Sequence, residues 1–522
     1  MHQRAASPRA TRDDRWAALC GVVAGVAGLG IADLAAWLIT PAGSPLAAVG
    51  SVVIDLLPAP LVNVGKETLG AADKPVLLVI IAVVVLAGAA FGGVLERRRP
   101  YGGAAVFAVL TVLGLIGVAP GSGADLKAYV PTAVGLLAAY MILSTLVTRL
   151  RRWRPVRATA DQTDGAAEPA RRAFLVATSL AGLLAGAAAV GGRVLVGAAN
   201  RVSDARERFR LPAATTPAPA PPAGADLGVT GLTPYVTPNA DFYRIDTALQ
   251  VPVIDPDSWT LRVSGMVERE VTLTFAELTA LPLVEHVATL TCVSNEVGGG
   301  LAGNATWLGY PIRDLLARAR PQAGADMVLS TSQDGFTAGT PLSVLTDPDR
   351  QCLLAIGMNG EPLPLEHGFP ARLVVPGLYG YVSATKWVVE LKVTTFAADQ
   401  GYWTPLGWSA RGPIKLASRI DVPARTADAG TVVVAGVAWA QHTGISRVEV
   451  RVDDEPWATA ELAAVTGPDT WRQWRYPWSA TAGDHTLTVR ATDAEGDLQV
   501  EAEAPVAPDG ATGHHSVEVS VR

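Results

Sequence analysis

Cysteine is scarce in this chain, with only Cys20, Cys292 and Cys352 among 522 residues. Three thiols this far apart exclude a disulfide framework and leave a cysteine-based zinc site without support. Histidine is equally thin where it would matter: of seven, only His2 precedes residue 286. The N-terminal part therefore lacks the histidine pairs that hold a b-type haem between helices, and no haem is expected in this chain. Charged residues make up 17%, the net charge is −6 and the isoelectric point is near 5.7. Basic residues occur only in short arginine clusters, which argues against a nucleic acid partner. Repeats of solenoid period are missing as well.

What the sequence has in excess is apolar character. Hydrophobic residues reach 49% and mean hydropathy is +0.29, too apolar for a wholly soluble protein of three or so domains, so a lipid bilayer is an expected partner. Trp16–Ile39 is long enough to meet the requirement of about 20 residues for a membrane span, and Arg4, Arg9, Arg12 and Arg15 before it place its start in the cytoplasm. Pro75–Leu95 runs inward to Arg97-Arg98-Arg99, Gly102–Ala119 returns outward, and Val130–Leu146 comes back to Arg149, Arg151, Arg152, Arg154 and Arg157. Leu46–Val64 is broken by Asp55, Pro58 and Pro60, and a full crossing there would put the Arg97 cluster outside, so it reads as re-entrant or interfacial. Asp33 and Asp55 at membrane depth point to an ion or proton path, but with no basic partner in the sequence they read more readily as helix-end or helix–helix hydrogen-bonding residues.

A last span, 173–196, follows Ala170-Arg171-Arg172-Ala173-Phe174-Leu175, which resembles a twin-arginine export signal placed internally. Everything beyond it is then expected on the extracytoplasmic side of the cytoplasmic membrane. Residues 1–199 are thus read as an anchor of about five spans plus the re-entrant segment. Residues 200–226 form a linker whose Pro/Ala tract, Leu211–Asp226, predicts a semi-rigid extended tether. Residues 227–404 show short β-branched runs with helical stretches at Phe275–Leu281 and Ile312–Ala319, an α+β pattern. In residues 405–522, Val432–Val437, Ile445–Val452, Trp471–Trp478 and His485–Ala491 read as strands of a β-sandwich.

The stretch with chemistry is Thr289-Leu290-Thr291-Cys292-Val293-Ser294-Asn295-Glu296, followed by Gly298, Gly299, Gly300 and by Gly303-Asn304-Ala305-Thr306-Trp307. Alternation at Val287, Thr289 and Thr291 predicts a strand running into a glycine turn, with Cys292 at the strand's end. Further on come Asn359-Gly360-Glu361-Pro362-Leu363-Pro364, His367-Gly368-Phe369-Pro370-Ala371-Arg372-Leu373, Val375-Pro376-Gly377 and Lys386-Trp387. Together, in this order, they resemble the sulfite oxidase family of molybdopterin enzymes over Leu232–Gln499.

That resemblance implies a molybdenum–molybdopterin cofactor with Cys292 as the metal's protein ligand. It assigns Asn239, Phe242, Tyr243 and Arg244, from the run Thr237–Asp246, to the pterin, with Arg244 also facing substrate. His367 and Arg372 would converge on the cofactor's phosphate, Thr385 and Lys386 would reach the pterin, and Asp334 is a weaker carry-over. Tyr402 would stand beside the reacting oxygen as a hydrogen-bond donor. The sandwich would be an immunoglobulin-like dimerisation domain, giving a homodimer. The reaction implied is transfer of an oxygen atom to or from a small-molecule substrate, with a separate electron-transfer partner, a cytochrome or a quinol-linked membrane protein. One departure stands out: where sulfite oxidases carry arginines just after the ligand cysteine, this chain has Glu296 and Val297. Three readings follow: an oxidase of a sulfite-like anion, a sulfoxide or N-oxide reductase, and a cofactor-free cell-surface scaffold.

Overall fold

The computed structural model describes residues 8–39, 73–118, 129–153, 172, 174–176, 178–179, 202–248 and 251–522. The chain divides into two compact units, residues 1–200 with 247–250, and residues 201–246 with 251–522.

In the first unit, helices α1 (Pro8–Ile39), α2 (Asp73–Arg98), α3 (Gly102–Val118) and α4 (Val130–Trp153) fall on the four predicted spans between residues 16 and 146. α1, α2 and α4 run past the apolar stretch at one end or both, and α3 stops one residue short of it. Small residues let the backbones close up. A methyl group at Gly21 would stand 2.0 Å from the Ala89 carbonyl oxygen and one at Gly93 2.1 Å from that of Ala17, while Gly28 and Gly135 face each other across α1 and α4. Arg97 pairs with Asp13 at 2.9 Å and Asp14 at 3.1 Å, and Arg151 donates to the carbonyls of Glu96 and Arg97. The start of α1 and the ends of α2 and α4 therefore lie together, as their basic flanks predict. α1 and α4 contain stretches long and apolar enough to cross a membrane, Asp13–Ala32 and Val130–Arg152, and Gly102–Val112 is a shorter apolar helix. The expected re-entrant segment and most of the 173–196 span lie outside the described residues.

In the second unit, helix α5 (202–208) precedes a catalytic region of two mixed or antiparallel sheets. One has the order β2 (Val271–Thr274), β1 (Thr260–Gly265), β10 (Val388–Thr394), β5 (Met327–Ser332), β6 (Thr337–Pro341), with β1 and β10 parallel. The other runs β3 (Val284–Thr291), β4 (Ala302–Pro311), β7 (Leu353–Met358), β8 (Glu361–Pro362), with β9 (Arg372–Val374) also on β7. Helix α6 (Phe275–Thr279) starts on a capping box, in which Thr274 accepts from the Glu277 amide and Glu277 returns the bond. Helix α7 (Ile312–Ala319) buries Ile312, Leu315, Leu316 and Ala319, one apolar stripe.

Two further sheets follow, β11 (Ala417–Val422), β13 (Gly430–Trp439), β17 (Arg472–Ala480), β16 (Glu461–Leu462), and β12 (Thr426–Ala427), β19 (His515–Val521), β18 (Gly483–Asp493), β14 (Ile445–Val452), β15 (Ala458–Thr459). They share one core, in which Val434, Trp474 and Trp478 of the first meet Val448, Val450, Leu487, Val489 and Val519 of the second.

The Pro/Ala tract is extended, as proline demands, but it is not a free tether. Thr216 forms a parallel bridge with Val284, the Thr215 amide donates to Leu283 O at 2.8 Å, and Ala225 is buried. Proline cannot donate to a ladder, yet the alanines and threonines between the prolines can, and the open edge of β3 takes them.

Candidate active site

Cys292 directly follows β3 and is buried, with its amide donating to Leu301 O at 2.9 Å. Among the described residues none of the three cysteines forms a disulfide. The turn after it is held from inside: Asn295 Oδ1 accepts the Leu301 amide at 2.7 Å, and Gly298 sits at φ +76°, a conformation glycine adopts without strain.

On one side of Cys292 lies a cationic cleft. The 3₁₀ turn Leu365–His367 stops at Gly368, whose φ of +112° turns the chain back on itself. This brings His367, Arg372 and Lys386 together. Arg372 is buried against the Trp307 ring, 5.1 Å from its centroid, and its guanidinium donates to carbonyl oxygens: His367 O at 3.1 Å, Leu373 O at 3.3 Å and Ala384 O at 3.5 Å. Burial lowers its pKa to about 10. Lys386 donates to Asp246 at 2.8 Å and to Glu366 O at 3.0 Å. Burial pulls it down to about 8 against the opposing pull of Asp246, and Arg372 and Arg244 deepen the fall. His367 is carried down to about 4, by burial first and then by Arg372 and Lys386. Three basic groups thus share a buried space with the Asp246 carboxylate, an arrangement that favours an added anion.

Aromatic rings form the cleft's wall. Phe242 stacks on Tyr243 with centroids 5.3 Å apart and meets His367 and Trp307 edge-on at 5.5 and 5.7 Å. The Tyr243 phenol is raised by burial and by the negative charge of Cys292, with Arg372 opposing. Asn239 is fixed by Asn359, which donates to its Oδ1 at 2.8 Å.

Of the residues expected from sequence, Phe242, Tyr243, His367, Arg372 and Lys386 therefore lie in one buried cluster, with Asn239 beside His367 and Cys292 close enough to Tyr243 to raise its pKa. Arg244 stands further out, 40% exposed and donating to Asp246 at 3.0 Å. Thr385 is fully buried, its hydroxyl 2.7 Å from that of Ser330, which makes it a pin between loop and sheet. Asp334 closes the turn after β5 by accepting from Phe336 at 3.5 Å. Tyr402 packs on Phe336 and Trp403 at 6.0 and 5.1 Å. The phenol of Tyr379, a residue the sequence reading passed over, also feels Cys292, as that of Tyr243 does. Burial raises it to about 12, with Asp509 and Cys292 adding to the rise and the Lys415 amide opposing. Its signal was its place two residues after Gly377, inside the run already singled out.

A narrow crevice of about 20 Å³, lined by Thr291, Glu296, Tyr379, Trp439, Gln499 and Thr512 among others, separates the 295–298 turn from the C-terminal sheets.

Residues 248–403 match the family model of the oxidoreductase molybdopterin binding domain. The mitochondrial sulfite oxidase of Drosophila melanogaster is 31% identical over 326 residues, 51% of this chain and 56% of that protein. Over about half of its length the chain is therefore similar to sulfite oxidases, and residues 248–403 carry a molybdopterin-binding oxidoreductase domain. Homo sapiens mitochondrial sulfite oxidase is 28% identical over 327 residues, 52% of this chain and 58% of that protein. Gallus gallus sulfite oxidase is also 28% identical, over 52% of this chain and 70% of that protein. Among solved structures, the sulfane dehydrogenase SoxCD from Paracoccus pantotrophus aligns with a TM-score of 0.48 at 23% identity, covering 55% of this chain and 84% of that one. The chain spans less than three fifths of the human and fly members it matches. The chemistry of this cluster suits a molybdopterin, because a phosphate-tailed pterin brings the anion and the flat ring that the Arg372 and Lys386 cations, the neutral His367 imidazole and the stacked aromatics would meet.

Proposed function

We propose that this chain is a membrane-anchored molybdenum-cofactor oxidoreductase that moves an oxygen atom to or from a small substrate outside the cytoplasmic membrane. The observation that supports the reading is the position of Cys292, a buried cysteine near the Tyr243 phenol and hence near the cluster of Phe242, His367, Arg372 and Lys386. His367, Arg372 and Lys386 would hold the phosphate end, and Phe242, Tyr243 and Asn239 the pterin. By the chain's likeness to the sulfite oxidases, Cys292 would be the metal's protein ligand. Bound there, the cofactor supplies two-electron redox chemistry and oxygen-atom transfer. The chain's part is to orient it, to exclude water behind Phe242 and Trp307, and to offer the Tyr379 hydroxyl as a hydrogen-bond donor near the cysteine.

Membrane anchoring is supported by apolar side chains left uncovered on helices: Val79, Val83, Phe91 and Leu137 are each 60 to 62% exposed. The shared end of α1, α2 and α4, rich in arginine, would be cytoplasmic. Residues 405–522 would form an immunoglobulin-like domain that pairs two copies, and a cytochrome or quinol-linked protein would exchange electrons with the site.

Metal and pterin analysis of protein purified from membranes tests the class. Near-stoichiometric molybdenum is expected, and Cys292→Ser should abolish turnover while circular dichroism stays unchanged. Full turnover by that variant would refute the ligand assignment. Replacing Arg171 and Arg172 by lysine should keep the catalytic part from external protease, which tests export through the twin-arginine route.

A further inference from the structure

The basic cluster hangs on one loop. Between β8 and β9 the chain passes through Leu363, Pro364, the 3₁₀ turn and Gly368 before it reaches Arg372, so His367 and Arg372 are placed by how that loop is held. Its entry is poor in donors, because Pro362 and Pro364 have no amide hydrogen and the Leu363 amide is spent on Ile356 O at 3.1 Å.

The hold comes from α5. Arg206 donates from Nε to Leu363 O and from Nη2 to Pro362 O, each at 2.8 Å and across more than 150 positions of sequence. Two successive carbonyls on one planar fork are a geometry that a guanidinium matches and an ammonium does not. The neighbouring Glu361 carboxylate, 3.6 Å away and 65% exposed, adds little as an ion pair.

α5 is fixed in the core that backs the cluster. Val202 is buried with Phe242, Trp307, Leu363 and Phe369. Phe209, directly after the helix, meets Phe275 at 5.0 Å, and Phe275 meets Phe369 at 6.2 Å. Phe369 lies in the loop itself, between Gly368 and Pro370. The loop is thus braced at its entry by Arg206 and at its middle by the phenylalanine stack.

We propose that Arg206 is a positioning residue for the cofactor site: by clamping Pro362 O and Leu363 O it fixes the loop that carries His367 and Arg372. The proposal rests on the molybdenum-cofactor reading above. Arg206 acts through the loop backbone, and the residues that would meet the phosphate are the ones it places. A short helix preceding the catalytic sheets in sequence is then part of the machinery that retains the cofactor.

The test uses the full-length protein in detergent, in cofactor-free and loaded forms. In the cofactor-free form, hydrogen exchange at the His367, Gly368 and Phe369 amides should quicken about tenfold or more in Arg206→Ala, the loss of a hydrogen bond from a charged donor. The amides of β13 and β17 should keep their wild-type rates. In the loaded form, molybdenum retained through purification should fall severalfold in Arg206→Ala, and Arg206→Lys, with a single ammonium for two carbonyls, should recover part of it. Unchanged loop exchange in Arg206→Ala overturns the proposal, as does wild-type molybdenum content in that variant. Exchange that quickens equally in β13 and β17 also overturns it, since Arg206 would then serve the fold at large. Wild-type protein without molybdenum sinks the enzyme reading instead, and the exchange comparison still decides whether Arg206 holds the loop.

Discussion

At the scale of single residues the informative group is Arg372, a buried guanidinium whose hydrogen bonds go to carbonyl oxygens. Holding a charge there in the absence of an anion opposes folding, so the arginine belongs to the ligand more than to the fold. Arg372→Met should leave the cofactor-free protein as stable as wild type or more so, while the molybdenum content of purified protein falls severalfold. Thermal melts and metal analysis check the two halves separately. His367 gives a pH signature of the same kind. Its folded-state pKa, lowered to about 4, lies below the unfolded value of about 6.5, so the unfolded chain binds the proton first. Stability of the cofactor-free protein is therefore full above pH of about 6.5 and declines toward pH 4, by a ceiling of about 3 kcal/mol. Bound phosphate should raise the histidine's pKa and flatten that slope. Melts at successive pH values, with and without cofactor, measure it.

At the scale of elements, the turn at Gly368 gathers the cleft. Its φ is +112°, and a methyl group there would stand 3.0 Å from Arg372 Cβ and 3.1 Å from Lys386 Cβ. Gly368→Ala should cost about 1 to 3 kcal/mol from backbone strain alone, and metal retention should drop with it. Denaturant unfolding and metal content report on the two effects. Much of this scale was legible from sequence, because period and punctuation act locally: Ile312–Ala319 and Ile445–Val452 form as predicted. The Phe275 helix ends at Thr279, two residues early, since Pro282 follows and disfavours helix in its neighbour. The cleft was legible through the ordered runs around Cys292, His367 and Lys386. What stayed hidden depends on distant pairing. The Pro/Ala tract carries no mark that its partner is the edge of β3, and Gln441 carries none that it reaches Thr291 across 150 positions.

At the scale of the whole second unit, the strand that presents Cys292 is completed by the C-terminal sheets. The Thr289 amide donates to Asp469 O at 2.9 Å and its hydroxyl accepts the Trp471 amide at 2.8 Å. The Asp469 carboxylate lies 2.7 Å from His286 Nε2 and 3.2 Å from His442 Nδ1. Burial alone would raise that carboxyl, yet the two histidines hold it near 2. Asp469→Ala should cost about 2 to 4 kcal/mol by orphaning both imidazoles, and metal retention should fall although residue 469 touches no part of the cleft. Calorimetric melts and metal analysis check this. The pairing also sets a schedule for biosynthesis. Thr289 and Trp471 are 182 positions apart, so a ribosome has released nearly the entire polypeptide before the thiol-bearing strand can settle. The proposed metal centre would gain this support only after residue 471 has been made.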